Sequence, residues 1–331
     1  MPDPAPEPFE SGGLGRPPHL QSLPADVAVA PDTGLSAPAA GEGPGIEARS
    51  QFRMALERFA HHRVALAGLA AFVFLLLLST IGPVFWRYNY AQITGQFASA
   101  PSLQHPFGTD TIGHDLFAQV LTGTATSIKT ALLVAVISTA VGTLIGAAAG
   151  YYGRLADATL MRFTDLVLVV PLLAILLVLA NTLSKQASNW FWIAIILAAL
   201  LWTYLARLVR GTFLSLRERE FVEAAKAIGA SDFRIIVRHM IPNAIGPIVV
   251  NATLTVANAI LIEAALSFLG LGIQPPEVSL GYLINAGQGD AITLPWLFAF
   301  PAVFLIAIIL AVNFVGDGLR DALDPTQRMR A

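Results

Sequence analysis

Polar and acidic residues inside apolar stretches are the first candidates for chemistry in this sequence. Asn251, Thr255 and Asn258 are spaced so that one face of a helix carries all three, and Glu263 lies on a different face. Polar side chains are costly in hydrocarbon, so the three either hydrogen-bond to neighbouring helices or line a watery passage. Glu263 is expected either to meet an amino group or a cation, or to cap a break in the backbone before Gly270.

Histidine and aspartate cluster at His105, Asp110, His114 and Asp115, which raises the question of a metal site. Adjacent residues do not share a helix face, and the spacing offers no tight set of ligands. We therefore predict no metal site there and expect Asp115 to start the following helix. The chain has no cysteine, which excludes disulfides, thiolate metal sites and cysteine nucleophiles.

Signatures of catalysis are missing from the sequence. It contains no Gly-x-x-x-x-Gly-Lys-Ser/Thr phosphate-binding loop, no zinc helix with paired histidines and no nucleophile elbow. We therefore predict that the chain is not an enzyme and binds no cofactor of its own. Any ATP chemistry must come from a partner, and a membrane enzyme is disfavoured on the same ground.

The polar segment 215–242, between two apolar runs, has the most informative pattern. Phe221, Ala225 and Ile228 recur at helical spacing, with charged residues on the other face. Gly229 fits the position just after a helix end, where a positive φ costs little. The pattern predicts two short helices around a glycine elbow, lying beneath the membrane.

The second of these short helices is expected to begin after Ser231 and to end before Pro242. Ala224 and Ala225 are small, which would let another surface approach the first helix closely. An amphipathic helix resting on lipid headgroups is the simpler alternative. The segment also imitates part of a helix-turn-helix DNA reader, but such a reader between two membrane spans is disfavoured, and no nucleic-acid partner is predicted.

The elements that must position these residues are apolar helices. The chain has 331 residues, of which 55% are hydrophobic and 13% are charged, against about 25% charged in soluble domains. About 20 apolar residues cross the roughly 30 Å of hydrocarbon as a helix. The sequence predicts an all-α membrane protein with six spans, at about residues 64–86, 131–152, 166–183, 190–209, 245–269 and 296–315.

Every second segment outside the spans is rich in basic residues, and the segments between them are poor in basic residues. The segments before span one, between spans two and three, between spans four and five, and after span six hold most of the lysine and arginine. The alternate segments hold only Arg87, Lys129 and Lys185. Short loops rich in Lys and Arg stay in the cytoplasm, so both termini are predicted to be cytoplasmic.

Two further features complete the organisation of the chain. Residues 1–48 hold ten prolines and seven acidic residues against the single Arg16, so we predict a disordered acidic tail ahead of a transmembrane domain at 49–331. The purpose of this tail stays open. In span two, Gly142, Gly146 and Gly150 form a stripe of small residues that is typical of close helix packing.

Four motifs in register resemble the permease subunits of ABC importers. Glu223-Ala224-Ala225, then Gly229 and Pro242, is similar to the loop of that family that docks on an ATPase subunit. Three other segments resemble the dipeptide, oligopeptide and nickel branch of the same family. They are His105-Pro-Phe-Gly-Thr-Asp-Thr-Ile-Gly-His-Asp115 (with His114 where the branch has arginine), Glu263-Ala-Ala-Leu-Ser-Phe-Leu-Gly-Leu-Gly272, and Asn313-Phe-Val-Gly-Asp-Gly-Leu-Arg-Asp-Ala-Leu-Asp-Pro325.

The resemblance implies a type I ABC-importer permease, of the C-type subunit, in the bacterial plasma (inner) membrane. It implies a second homologous permease subunit, two ATP-binding subunits that hold ATP and Mg, and an external solute-binding protein. Peptide is the expected substrate, with nickel or glutathione-like compounds as alternatives within the family. A secondary transporter or channel driven by an ion gradient through Glu263 is the alternative from another class.

Overall fold

The structure is a computed structural model that describes residues 51–171, Ala174, Ile175, Val178 and residues 189–323. Both the predicted acidic tail and the last eight residues of the chain lie outside this described part. Helices dominate it, in the order α1 Gln51–His61, α2 Arg63–Phe85, α3 Leu116–Tyr152, α4 Arg154–Val169, α5 Trp190–Arg217, α6 Glu220–Ala227, α7 Asp232–Phe268, α8 Leu280–Gln288 and α9 Pro295–Leu323.

Five helices in the described residues are long and apolar enough to cross a membrane, namely α2, α3, α5, α7 and α9. They coincide with the predicted first, second, fourth, fifth and sixth spans. The predicted third span, 166–183, falls largely outside the described residues, and only its start overlaps the end of α4. The membrane character of the chain is therefore confirmed, whereas the predicted third span stays a prediction.

Helix α3 begins at Leu116, well before residue 131, where the apolar run that predicted the second span begins. Asp115 caps it, as expected, because its Oδ1 accepts a hydrogen bond of 2.8 Å from the amide of Ala118. Hydropathy missed the first turns because they carry polar side chains, including Thr124 and Ser127. These side chains are fully buried against neighbouring helices. They do not face lipid, so the helix can include them although they are polar.

The glycine stripe of α3 packs directly on α5. A Cβ added at Gly142 would lie 2.7 Å from the carbonyl oxygen of Trp202, and one added at Gly150 would lie 2.8 Å from that of Arg210. At Gly146 an added Cβ would overlap the carbonyl oxygen of Ala206. No side chain larger than hydrogen fits at this crossing, so the two helices approach as closely as their backbones allow.

Helix α7 corrects the prediction for the second half of the loop. A helix begins at Asp232 as expected, but it does not end before Pro242 and instead continues to Phe268. Residues Ile235–Met240 form a π-helical turn just before the proline. The carbonyl of His239 accepts a 2.6 Å hydrogen bond from the side chain of Asn243. Local widening and side-chain donors of this kind let a helix tolerate proline.

The segment between α2 and α3 is tied together at Asp115. Trp86 donates its indole N–H to Oδ1 of Asp115 at 3.0 Å, and the ring of His105 pairs with Oδ2 at 2.6 Å. His105 and Asp115 are both fully buried, and Tyr88 stacks on the His105 ring. His114 pairs separately with Asp110 at 2.8 Å. Within the described part of the chain no group of three such side chains is arranged to hold a metal ion.

Candidate docking surface and passage

Helix α6 ends in a hydrogen-bonded glycine turn. Gly229 has φ +79°, its amide donates to the carbonyl of Lys226 at 2.9 Å, and the amide of Ala230 donates to that of Ala225 at 3.0 Å. These are the two bonds of a Schellman motif, and they confirm Gly229 as the residue after the helix end. An added Cβ would meet nothing within 4 Å, so backbone conformation and not crowding requires glycine here.

The structure divides the apolar residues of α6 between two faces. Val222 and Ala225 are buried, whereas Phe221 and Ile228 are exposed. The residues that recur at helical spacing in the sequence, Phe221, Ala225 and Ile228, therefore do not share one environment. Ala225 serves packing within the chain, because it belongs to a buried cluster with Val222 and with residues of α3, α5 and α7.

The exposed part of α6 includes an apolar strip beside its charged residues, although the helix belongs to a connecting segment. Phe221, Ala224 and Ile228 follow one another at helical spacing, and we call these three residues the α6 surface. Ile228 is 85% exposed, and Phe233 at the start of α7 is 75% exposed. Glu223 beside the α6 surface and Pro242 further along are exposed as well. Exposed apolar side chains grouped in a connecting segment are typical of interaction sites, so the α6 surface is a candidate for docking.

Tyr151, near the end of α3, fixes the position of α6 and of the turn that follows it. Its hydroxyl donates a 2.6 Å hydrogen bond to Oδ1 of Asp232, the first residue of α7. The ammonium group of Lys226 lies 5.7 Å from the centre of the tyrosine ring, and Arg217 donates to the carbonyl of Tyr151 at 3.3 Å. Sequence analysis missed Tyr151, since a tyrosine at the end of an apolar run carries no distinguishing signal.

Helix α5 is held to α4 by ion pairs close to the same end of the molecule. Arg210 binds Asp157 through two nitrogens, and Arg207 binds Asp165 at 2.6 Å. The hydrogen bonds from the guanidinium of Arg210 lower the pKa of Asp157 below its usual value. The ends of α3, α4, α5, α6 and α7 are thus linked to one another.

The polar residues of α7 differ in exposure and in whether their side chains hydrogen-bond within the helix. Asn258 is exposed, as is Leu261 one turn further, whereas Asn251 and Thr255 are half-buried. Thr255 donates to the carbonyl of Asn251 at 2.9 Å, within its own helix. Among the described residues, no hydrogen bond links the side chains of Asn251 and Asn258 to a neighbouring helix.

Glu263 lies apart from this open face and is fully buried. One carboxylate oxygen accepts a hydrogen bond from Ser127 of α3 at 2.9 Å, and the other accepts from Ser267 at 2.8 Å. Ser267 in turn accepts from the amide of Ile273 at 3.0 Å, beyond the turn at Gly270. Glu263 therefore organises the end of α7 and the backbone after it, and in this conformation it does not reach the exposed face that carries Asn258.

Comparison with known families gives two matches. Residues 142–329, more than half of the chain, match the family described as the binding-protein-dependent transport system inner membrane component. Residues 50–106 match the N-terminal TM domain of oligopeptide transport permease C. The first match includes α5, α6, α7 and the α6 surface, and the second includes α1 and α2.

Individual relatives agree with these matches. The oligopeptide transport system permease protein OppC of Mycobacterium tuberculosis is 43% identical over 283 residues, which cover 85% of this chain and 97% of the relative. The protein of the same name from Haemophilus influenzae is 39% identical over 286 residues, covering 86% and 91%.

Among solved structures, a chain of the MetNI methionine ABC transporter, in an inward-facing conformation, has a similar fold. The TM-score is 0.50 and the sequence identity is 17%, with 63% of this chain and 98% of that chain covered. At this identity the likeness concerns the fold alone.

Proposed function

Because the chain belongs to the family of binding-protein-dependent transport system inner membrane components, we propose that it is one of two permease subunits of an ATP-driven peptide importer. Its helices form half of the passage, and a second, homologous permease subunit forms the other half. Peptide is proposed as the substrate because the relatives above are named for oligopeptide transport.

The observation that carries the proposal is the α6 surface. It presents two large apolar side chains around the small Ala224, so a partner can approach the helix backbone closely. We propose that each of two ATP-binding subunits holds ATP and Mg and docks on such a surface, one on each permease subunit. Glu223, Ala224, Ala225, Gly229 and Pro242 are the docking residues proposed from sequence, and we add Ile228 because it is exposed beside them. Ala225 supports this surface from beneath.

The connections of α6 suggest how the motion of an ATPase is transmitted. Its buried face packs with α3, α5 and α7, and Tyr151 holds the following turn. A docked subunit that moved α6 would therefore move the ends of three spans together. We propose that ATP binding closes the ATPase pair and opens the passage outward, and that relaxation after hydrolysis opens it inward, which is alternating access.

The passage is proposed to run along the open face of α7. Asn258 offers an uncharged polar side chain there, suited to the backbone of peptides of varied sequence, and Asn251 and Thr255 lie on the same side of the helix. The charge distribution supports a position in the plasma membrane with both termini in the cytoplasm. The α6 surface would then face the cytoplasm, and an external solute-binding protein would deliver the peptide on the other side.

The docking proposal can be tested by single-cysteine cross-linking, because the natural chain contains no cysteine. Ala224→Cys should form a disulfide with cysteines placed on the co-purified ATPase subunit, and the yield should change with bound ATP. Gln288→Cys, at the exposed end of α8, is the matched control and should give no product. Equal yields from both positions would contradict the docking assignment.

Transport separates the proposal from a carrier driven by an ion gradient. Proteoliposomes that contain both permease subunits and the ATPases should take up labelled peptide only with ATP and the binding protein. Uptake by this chain without ATPase subunits, driven by a pH gradient alone, would favour the carrier instead. Parallel assays with nickel and glutathione decide between the substrates within the family.

A further inference from the structure

A cleft of about 260 Å³ lies at the end of the molecule opposite the α6 surface in the proposed topology. Its walls come from the segment between α2 and α3, the first turns of α3, the loop before α8, α8 itself, the turn after α8 and the start of α9. The polar lining side chains are Tyr90, Asp110, Thr111, His114, Gln119, Tyr282 and Asp290. Proline and aliphatic side chains form the rest of the wall.

Some polar groups of this cleft are hydrogen-bonded within the described part of the chain, and others are not. Asp110 is engaged, because it accepts from the ring of His114 at 2.8 Å, from the side chain of Gln119 at 3.3 Å and from two backbone amides. The carboxylate of Asp290 and the hydroxyls of Tyr90 and Tyr282 have no hydrogen-bond partner in the described part of the chain. The cleft therefore offers unused acceptors beside its apolar wall.

The electrostatic character of the cleft is negative. Two carboxylates line it, and none of its lining residues is lysine or arginine. Burial, and then the negative charge of Asp110, raise the pKa of Tyr282 above its usual value. A positively charged group that entered would gain the free carboxylate of Asp290, and it would lie beside two tyrosine rings that attract cations.

The size of the cleft decides what kind of cation fits. Sites for whole small-molecule ligands are about 300–1,000 Å³, so a volume of about 260 Å³ suits one long side chain and not a complete peptide. The aliphatic stem of a lysine or arginine matches the apolar wall, and its charged head matches Asp290. Moreover, none of the residues proposed for the passage lines this cleft.

We propose that the cleft receives a lysine or arginine side chain of the external solute-binding protein and thereby seats that protein on this subunit. The inference rests on the proposed function, since it requires the outward orientation of the segments before α3 and around α8. It adds a defined contact with Asp290 at its centre, assisted by Tyr282. Asp290 has no structural partner among the described residues, so its replacement should leave the fold intact.

The test uses the complete transporter, with both permease subunits and both ATPases, in lipid nanodiscs, and its cognate solute-binding protein as the probe. Asp290→Asn should weaken binding of that protein by about tenfold, as expected for the loss of one partly buried charge pair. Asp290→Lys should weaken it further, and Asp290→Glu should retain most of it. Gln288→Ala, an exposed change two residues away and outside the cleft, should have no effect.

A charge exchange identifies the partner side chain. A lysine-to-glutamate or arginine-to-glutamate change on the binding protein should restore binding to Asp290→Lys while weakening binding to the unmodified transporter. Unchanged binding in every Asp290 variant would overturn the inference, and the proposed function would survive if that protein still stimulated ATP hydrolysis. A shift in preference for basic peptides without a change in binding-protein affinity would also overturn it, because the cleft would then serve the substrate.

Discussion

Tyr151 and Asp232 are 81 residues apart in sequence, and their side chains form a 2.6 Å hydrogen bond where α3 ends and α7 begins. The glycine turn that follows α6 lies immediately before Asp232, so the bond ties that turn to a membrane span. Lys226 on α6 approaches the same tyrosine ring. One side chain thus links the proposed docking helix to two spans.

The first prediction concerns this bond. Tyr151→Phe removes the donor and keeps the ring, which should lower the free energy of unfolding by about 1–2 kcal/mol, because the acceptor is a charged group. We expect the assembled transporter to form normally but to use more ATP for each peptide imported. Thermal unfolding and the ratio of hydrolysis to uptake measure the two effects. An unchanged ratio would mean that Tyr151 supports stability only.

The second prediction concerns the glycine turn. Gly229→Val places a branched side chain at φ +79°, which costs about 1–2 kcal/mol and should rotate the end of α6 away from its docking position. The chain should still reach the membrane, while peptide uptake becomes uncoupled from ATP hydrolysis. Gly211→Val is the control, because Gly211 also has open space around it but sits within α5 at an ordinary φ. Normal coupled uptake by Gly229→Val would make the docking assignment wrong.

The third prediction tests the crossing of α3 and α5. Gly146→Ala forces a Cβ against the carbonyl of Ala206 and to within 2.8 Å of the Cβ of Val209. Such overpacking should destabilise the protein by about 1–3 kcal/mol. Gly211→Ala adds the same methyl group where nothing lies within 4 Å and should be neutral or slightly stabilising. The melting temperatures of the two variants in detergent give the comparison.

The fourth prediction concerns the passage. Asn258→Trp fills space on the open face of α7 without disturbing a described contact, so it should reduce peptide uptake at least tenfold while the melting temperature stays unchanged. Phe74→Trp, at an exposed position on α2, is the matched control and should transport normally. Equal uptake by the two variants would remove Asn258 from the passage.

Apolar run lengths were enough to predict α2, α5 and α9, because a span must cover the hydrocarbon with side chains that resemble it. They failed at the start of α3, where Thr124 and Ser127 face other helices and not lipid. The proline stop signal failed at Pro242, since the π-helical turn and the side chain of Asn243 let the helix continue. Contacts from distant parts of the chain decide the first case and local backbone geometry decides the second, and hydropathy contains neither.

The docking segment was predictable only in part, because some of its features are local and others depend on packing. Gly229 could be placed because positive φ is a local property of glycine, and the structure confirms that conformation. The orientation of α6 could not be derived, because Val222 and Phe221 are adjacent and both apolar, and only packing against α3, α5 and α7 selects Val222 for the interior. Tyr151 acts through Asp232, a pairing that no local pattern reveals.

The last prediction separates two roles for Glu263. If it organises the end of α7, Glu263→Ala should leave the hydroxyls of Ser127 and Ser267 without their acceptor and create a small cavity, at a cost of about 3 kcal/mol. Glu263→Gln keeps one oxygen that can accept from one hydroxyl, and its amide NH2 can donate to the oxygen of the other, so it should restore most of the melting temperature. The KM for peptide should be unchanged in the Gln variant, since the carboxylate does not face the open side of α7. A KM that rises tenfold in Glu263→Gln at an unchanged melting temperature would instead assign Glu263 to the amino group of the peptide.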